Sequence, residues 1–403
     1  MTDVSPQGDA FGAGTGGTTV GLCRLLVVVT HPIQYFSPWW RHLAAQPDFD
    51  LTVVYLRELD EAMQGVGFGQ RFRWDVPLRE GYRSIVLGAP PRWRALVKLP
   101  LLIATLRRLR PDAVLVTGWQ EPLLALALPL SRWAAPLALV RGESNDLRPR
   151  QQIARVAHRA MLAFVHGALA IGLANARFFR NAGVPAERIV QAGYFVENER
   201  LLADLEAQER HRAAVRGEEG ATDSDFVVAF CGKLVPFKRP DLLLEAAGLL
   251  RQEGVPIRLR YAGSGELRGE LERRAAELGV AVHFTGFLNQ TQMWRAYLGA
   301  DLFVLPSTAQ ETWGLVVNEA MVFGLPVAVS DQVGSGEDLV IEGVTGWRFS
   351  GGADALARTL RQAWAGRDRL PAMGKAAQNH VLRNYSIEAA TRGLRRLIEG
   401  LRT

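Results

Sequence analysis

The chain reads as an α/β protein of two Rossmann-like, doubly wound halves facing each other across a central cleft. Three observations lead there. Short all-apolar strands of the kind buried in parallel sheets alternate with helices along the chain. The alternation breaks at 203–224, where Ala, Glu, Arg, Gly and Asp dominate, and restarts at 225. Strands repeatedly end in polar or glycine-containing loops, the positions at which open α/β sheets bind ligands. The expected division is a disordered tail over 1–21, a first domain over 22–202 and a linker over 203–224. A second domain covers 225–385, and a final helix covers 386–403.

The first half opens with a strand at 24–30, a loop at 31–38, a short helix at 40–45 and a strand at 51–55. This is β-α-β at Rossmann spacing, but it lacks the GxGxxG fingerprint, because the glycines of 12–21 precede the strand. Residues 59–84 read as an irregular surface loop or hairpin. A helix at 100–110 ends in Arg107, Arg108 and Arg110, cations that complement its dipole. Then come a strand at 112–117, the turn Gly118-Trp119-Gln120-Glu121-Pro122, an apolar helix and a strand at 137–140. The loop Arg141-Gly142-Glu143 leads to a basic helix carrying Arg150, Arg155 and Arg159. A strand at 167–171, a helix at 175–182 and the pair Ile189-Val190 close the half.

The second half gives strands at 225–230, 257–262, 280–284, 302–305, 326–330 and 345–349. Helices are expected at 240–252, 267–278, 293–298, 315–323, 353–365 and 371–384. The helix at 386–401 lies outside this alternation.

Composition is that of a globular chain with two cores: 403 residues, 48% apolar and 22% charged. Cys23 and Cys231 fit neither a disulfide scaffold nor a zinc pattern, so a reduced, cytoplasmic setting is expected. Residues 1–21 lack the charged start and apolar core of a signal peptide. No apolar run reaches membrane-spanning length, the best being 123–130. Residues 1–200 carry 23 Lys/Arg against 16 Asp/Glu, and residues 201–403 carry 24 against 25. The basic excess thus belongs to the first half. No recognition motif supports nucleic acid; an anionic substrate or the inner face of a membrane explains the excess as well. The segments around 92–110 and 148–159 are the candidate membrane contacts, or else a solvated Arg-rich face.

Chemistry concentrates at strand ends of the second half. Lys233 and Lys238 follow one strand, suited to neutralising a diphosphate. Gly263 and Gly265 permit close backbone approach. Phe287 and Leu288 follow the next strand. Glu311 lies in the loop after 302–305, and Trp313, Gly314, Leu315 and Val316 open a helix whose unpaired N–H groups can bind an anion. Glu319 lies about one turn inside that helix. Each piece alone is compatible with an ordinary turn. The two DxD strings, Asp48-Phe49-Asp50 and Asp223-Ser224-Asp225, precede strands and do not read as metal sites.

Taken in order, the pieces GKLVPFKRPD (232–241), AGSGEL (262–267), FTGFL (284–288), ADLFVLPS (300–307), ETWGLVVNE (311–319) and EDLVIEGVTGW (337–347) resemble the retaining nucleotide-sugar-dependent glycosyltransferases of family 4, which have the GT-B fold. The resemblance is dense over 225–350 and looser in the first half, through Phe195-Val196-Glu197-Asn198. It implies a hexose-type sugar carried on a nucleoside diphosphate, uridine ahead of guanosine, as co-substrate and no other cofactor. It implies transfer with retention to a glycan or lipid-linked hydroxyl, in cell-surface polysaccharide or glycoconjugate synthesis. Lys233 and Lys238 would hold the diphosphate, and Glu311 the sugar hydroxyls. The backbone at Trp313–Val316 would bind phosphate, Glu319 the ribose, and Phe287 and Leu288 would border the base. The last helix would cross back onto the first domain.

The chain also departs from the family. A Gly-Gly turn often follows the first strand there, whereas His31-Pro32-Ile33-Gln34 stands here, leaving His31 or Gln34 to supply a side chain. Arg141-Gly142-Glu143 replaces a frequent His near the donor sugar. Glu143 reads either as a polar group at the reaction centre or as a helix-start carboxylate. Gln120 and Glu121 are expected to face the acceptor. Same-fold alternatives are a nucleotide-sugar epimerase, a phosphorylase, or a non-catalytic sugar-nucleotide-binding partner subunit.

Overall fold

A computed structural model describes residues 21–402. The expected disordered tail, apart from Gly21, lies outside the described residues. Seven strands form the first sheet: β1 (Cys23–Val29), β2 (Phe49–Tyr55), β3 (Arg83–Val86), β4 (Ala113–Val116), β5 (Leu137–Arg141), β6 (Gly167–Ala170) and β7 (Ile189–Gln191). Their order is β3-β2-β1-β4-β5-β6-β7, all pairs parallel. The second sheet holds β8 (Phe226–Cys231), β9 (Ile257–Ala262), β10 (Ala281–Gly286), β11 (Leu302–Leu305), β12 (Val327–Ser330) and β13 (Gly346–Phe349). Its order is β10-β9-β8-β11-β12-β13, again parallel throughout. The strand order reverses between β1 and β4 and between β8 and β11, which makes the crevices outside those strand ends the ligand positions. This is the two-domain GT-B architecture.

Strands β1, β4, β8 and β11 are buried nearly throughout, which is why they read as continuous apolar runs. The helices Pro240–Gln252 and Ala353–Ala365 lie where their periodicity places them. Two segments differ from expectation. β3 falls at the end of the stretch read as irregular; it is a four-residue edge strand, partly exposed, with only Ile85 and Val86 to mark it. The segment 203–224 is not a loose linker. It continues the helix Asn198–Gln208, passes through Glu209–His211 and forms the helix Arg212–Glu218. Its Ala, Glu and Arg content favours helix without the bulky apolar stripe that would announce one. The buried Arg216 guanidinium ties it to the second domain, donating to the carbonyls of Gly299 (2.8 Å), Thr222 (2.7 Å) and Asp225 (2.8 Å) and pairing with Asp301.

The last helix, Ile387–Arg402, packs on the first domain. Arg395 binds Asp48 through two hydrogen bonds of 2.7 and 2.8 Å, and Trp39 Nε1 donates to Thr391 Oγ1 at 3.0 Å. Other contacts cross between the domains. Arg177 bridges Asp146 of the first and Glu337 of the second. Asp338 accepts from the Leu173 N–H, at the start of the helix Leu173–Asn181, at 3.0 and 3.1 Å.

Burial raises the Asp338 carboxyl from 3.8 to about 6, outweighing the Leu173 N–H and Tyr385 hydroxyl that favour its ionised form. A folded value above the unfolded one means that this group's stabilisation is complete below about pH 4 and is lost as pH rises through 6. Asp338→Asn removes the titration. Its stability between pH 4 and 7 should lose a slope worth about 2–3 kcal/mol, read from urea unfolding. An unchanged slope would assign the titration to another group.

Candidate functional site

The residues expected on the donor side come from loops at the ends of β8, β9, β10 and β11. After β8 the chain runs Gly232-Lys233 into the turn Pro236–Lys238, and Arg239 takes a left-handed φ of 53° before the helix Pro240–Gln252. This places Lys238 Nζ against the Glu311 carboxylate in the β11 loop, both side chains largely buried. Ser307 Oγ donates to the same Glu311 oxygen at 3.3 Å. Gly314, with φ 87°, turns the loop into the helix Leu315–Val322, so the first N–H groups of that helix lack helical acceptors. The Trp313 side chain is buried, and its Nε1 donates to Asn318 Oδ1 at 2.8 Å; the role expected for this residue falls to its backbone.

Gly263 carries the glycine requirement in the β9 loop. With φ 137°, a Cβ there would meet the Gly232 carbonyl oxygen at 2.0 Å. The close approach is therefore between the β8 and β9 loops, and the same holds at Gly265, against the Leu234 carbonyl at 2.4 Å. The two glycines hold Lys233 beside the β9 turn.

Glu319 is 1% exposed, deep between the domains. Tyr297 of its own domain donates to Oε2 at 2.6 Å and Tyr35 of the first domain donates to Oε1 at 3.1 Å. Burial raises its carboxyl value against the pull of both phenols. The Cys231 thiol nearby is pushed up to about 12 by burial and the Glu319 charge, which leaves it inert. Lys233 is held below the usual lysine value by burial and by Lys238.

On the first domain, His31, Gln120, Glu121 and Glu143 line one cavity of about 410 Å³ at the ends of β1, β4 and β5, together with Thr30, Thr117 and Arg57. Gln34 is not among its lining residues. Arg57 pairs with both Glu121 oxygens and anchors to the carbonyls of Ala89 (3.0 Å) and Pro90 (3.1 Å), so this carboxylate faces the cavity already neutralised. Burial, then Arg57, lowers the His31 value, which keeps the imidazole neutral at pH 7. Glu143 starts no helix, because the next one begins at Gln152. It accepts from the Tyr194 hydroxyl and, across the cleft, from Thr312 Oγ1 at 3.3 Å. Beneath it the Arg141 guanidinium is enclosed by the rings of Phe36, Trp39, Tyr194 and Phe195 at 5.0–5.7 Å. Burial lowers Arg141 to about 10, so it remains charged at neutral pH.

Several site residues carried no sequence signal. Tyr35 and Tyr297 hold Glu319, Thr312 and Tyr194 hold Glu143, and Asn318 Nδ2 donates to the Tyr194 carbonyl at 2.9 Å. Only the position of Tyr35 inside the β1 loop pointed toward the cleft. Leu288 packs against the core, and Phe287 contacts aromatic residues of the first domain. Three of the four aspartates of the DxD strings are engaged elsewhere: Asp48 with Arg395, Asp50 with Arg83 and Asp225 with Arg258. Among the described residues no group of three His, Cys, Asp or Glu is placed to hold a metal ion, and no helix is long and apolar enough to cross a membrane.

With this geometry in place, the chain can be compared with known proteins. Residues 211–380, most of the second domain and the helix that leads into it, match the family described as glycosyl transferases group 1. The D-inositol 3-phosphate glycosyltransferase of Nocardia farcinica is 38% identical over 184 residues, covering 42% of this chain and 40% of that protein. The GDP-mannose-dependent α-(1-6)-phosphatidylinositol monomannoside mannosyltransferase of Mycolicibacterium smegmatis is 30% identical over 233 residues, covering 56% of this chain and 59% of that protein. The alignments thus span roughly two fifths to three fifths of these relatives. The structure of Anabaena HepE with UDP and glucose shares the fold, with a TM-score of 0.67 at 17% identity over 94% of this chain and 99% of that one.

Glu319→Ala would strand the Tyr35 and Tyr297 hydroxyls and is expected to cost about 1–3 kcal/mol in chemical denaturation. Glu319→Gln, which keeps an acceptor, should cost less. Equal stability of the alanine variant and wild type would show that the buried pair of phenols holds nothing.

Proposed function

We propose that this protein is a retaining glycosyltransferase that moves a hexose from a nucleoside diphosphate to a hydroxyl of a glycan or lipid-linked acceptor, in cell-surface polysaccharide or glycoconjugate synthesis. The observation that carries the reading is the Lys238–Glu311 pair with Ser307, set beside the start of the helix Leu315–Val322 and opposite the polar cavity of the first domain. Lys233, Lys238 and that helix start supply positive charge to the diphosphate as the bond from anomeric carbon to phosphate oxygen breaks. Glu311 orients the sugar. The acceptor oxygen forms the new bond on the same face, and its proton passes to the departing phosphate oxygen, with no protein nucleophile and no metal ion. The cavity around His31, Gln120 and Glu143 receives the acceptor hydroxyl. The GDP-mannose dependence of the Mycolicibacterium smegmatis relative and the UDP in the HepE structure make both nucleotides the ones to test.

Radiolabelled UDP- and GDP-hexoses with and without lipid extract separate transfer from hydrolysis and epimerisation. Glu311→Ala and Lys238→Ala should each lower transfer at least about 10²-fold, the usual scale for losing a group that stabilises the transition state, while circular dichroism is unchanged. Transfer at the wild-type rate in either variant sinks the site assignment.

The same proposal places the acceptor at an anionic membrane. The helices covering one face of the first sheet expose Trp93 (74%), Val97, Trp133, Ile153 (78%) and Val156, interspersed with Arg92, Arg94, Lys98, Arg107, Arg148 and Arg155. Apolar side chains among cations suit the headgroup region. Cosedimentation with phosphatidylglycerol vesicles is expected, with little binding to phosphatidylcholine, and Trp93→Ser with Trp133→Ser should weaken it about tenfold. Equal partition to both lipids would remove the membrane from the proposal.

A further inference from the structure

The donor-side groups of the second domain are occupied by the first domain itself. Residues 65–75, between the short helix Glu61–Gln64 and β3, cross the cleft as a strap. Lys233 Nζ donates to the Val66 carbonyl at 2.7 Å and lies 4.6 Å from the centre of the Phe68 ring. Ser264 Oγ donates to the Phe68 carbonyl. Against Phe287, the ring expected beside the base, lie Phe72 at 4.3 Å, Phe68 at 5.1 Å and Trp74 at 6.3 Å between centroids. Asn289 clamps the far end, donating to the Arg73 carbonyl at 2.6 Å and accepting from the Asp75 N–H at 3.3 Å. From the β1 loop, Tyr35 places its hydroxyl on Glu319.

These contacts copy three chemical features of a nucleoside diphosphate. An oxygen sits on the phosphate-type lysine, an aromatic ring on Phe287, and a hydroxyl on the ribose-type carboxylate. Ring centroids 4.3 Å apart are in direct contact and leave no slot for a base between them. The strap buries little of itself: Val66, Gly67, Gly69, Gln70, Arg71 and Arg73 are exposed, Phe72 is its one buried large side chain, and the Thr291 hydroxyl adds a hydrogen bond to the exposed Asp75 carboxylate. A segment with so little burial opens at low cost.

We infer that residues 65–75, with Tyr35, form a reversible plug that keeps the nucleotide subsite shut and withdraws before a nucleoside diphosphate binds. The inference rests on the donor-site reading above. A closed fraction lowers apparent affinity in proportion to its population, so loosening the plug raises it.

Hydrogen exchange of residues 65–75 in the full chain, with and without UDP or GDP, is combined with calorimetric Kd values for wild type, Phe72→Ala and Tyr35→Phe. The expected result is loss of protection at Asp75 and neighbouring amides on nucleotide binding, with affinity about three- to tenfold higher in both variants. Nucleotide binding with protection retained or increased, or with affinity unchanged or weaker in Phe72→Ala, overturns the plug: the strap would then be a fixed wall or a roof, and the donor site would stand. Failure of both nucleotides to bind either wild type or Phe72→Ala at millimolar concentration removes the donor site, and the plug with it.

Discussion

A parallel sheet covered by helices on both faces has no wet face, so its polar chemistry is confined to the ends of its strands. Both sheets here obey that constraint, and their C-terminal ends meet in one cleft. Lys233, Gly263, Phe287 and Glu311 leave the ends of β8, β9, β10 and β11, while His31, Gln120 and Glu143 leave β1, β4 and β5. Loops of this kind are free to bear function because the strands beneath them bear the core. They need bracing across the cleft, which the structure supplies: Asn145 Nδ2 holds the Thr312 carbonyl at 3.0 Å, and Asn318 holds the Tyr194 carbonyl at 2.9 Å.

The electrostatics of the cleft follow from how each charge is compensated. Glu319 is buried with two phenols and no cation, so burial dominates and its carboxyl value rises. Glu311 and Glu121 each meet a cation, Lys238 and Arg57. Four ring faces surround the Arg141 charge, its guanidinium donates to the Ala192 carbonyl at 3.4 Å, and burial lowers its value against the pull of Tyr194 and Glu143. Charges in the cleft are thus met in different ways, and the half-buried Lys233 ammonium is met by a carbonyl oxygen and a ring. An anionic ligand at that ammonium would add the charge partner that these contacts do not supply.

Much of this was legible in the sequence. β9 and β11 and the helices Pro240–Gln252 and Ala353–Ala365 appear at their expected bounds, because buried parallel strands and amphipathic helices each write a local period. The order of the strand-end motifs placed Lys233, Lys238, Glu311 and Glu319 in one half-cleft. β3 escaped because a short edge strand needs few apolar residues. The helix Arg212–Glu218 escaped because it is tied down by Arg216 bonding to the distant Gly299 carbonyl and Asp301 carboxylate. Glu143 could be read two ways because nothing local to it says whether a helix follows.

What the sequence by itself determined is the two-domain α/β plan, since buried parallel strands and amphipathic helices write local periods; the donor-side residue set was an expectation drawn from a family resemblance. Only the tertiary structure decided the partners. Tyr35 lies 284 residues from Glu319, and Val66 lies 167 residues from Lys233. Contacts at such separations depend on how two separately folded sheets dock, and no local period encodes that docking.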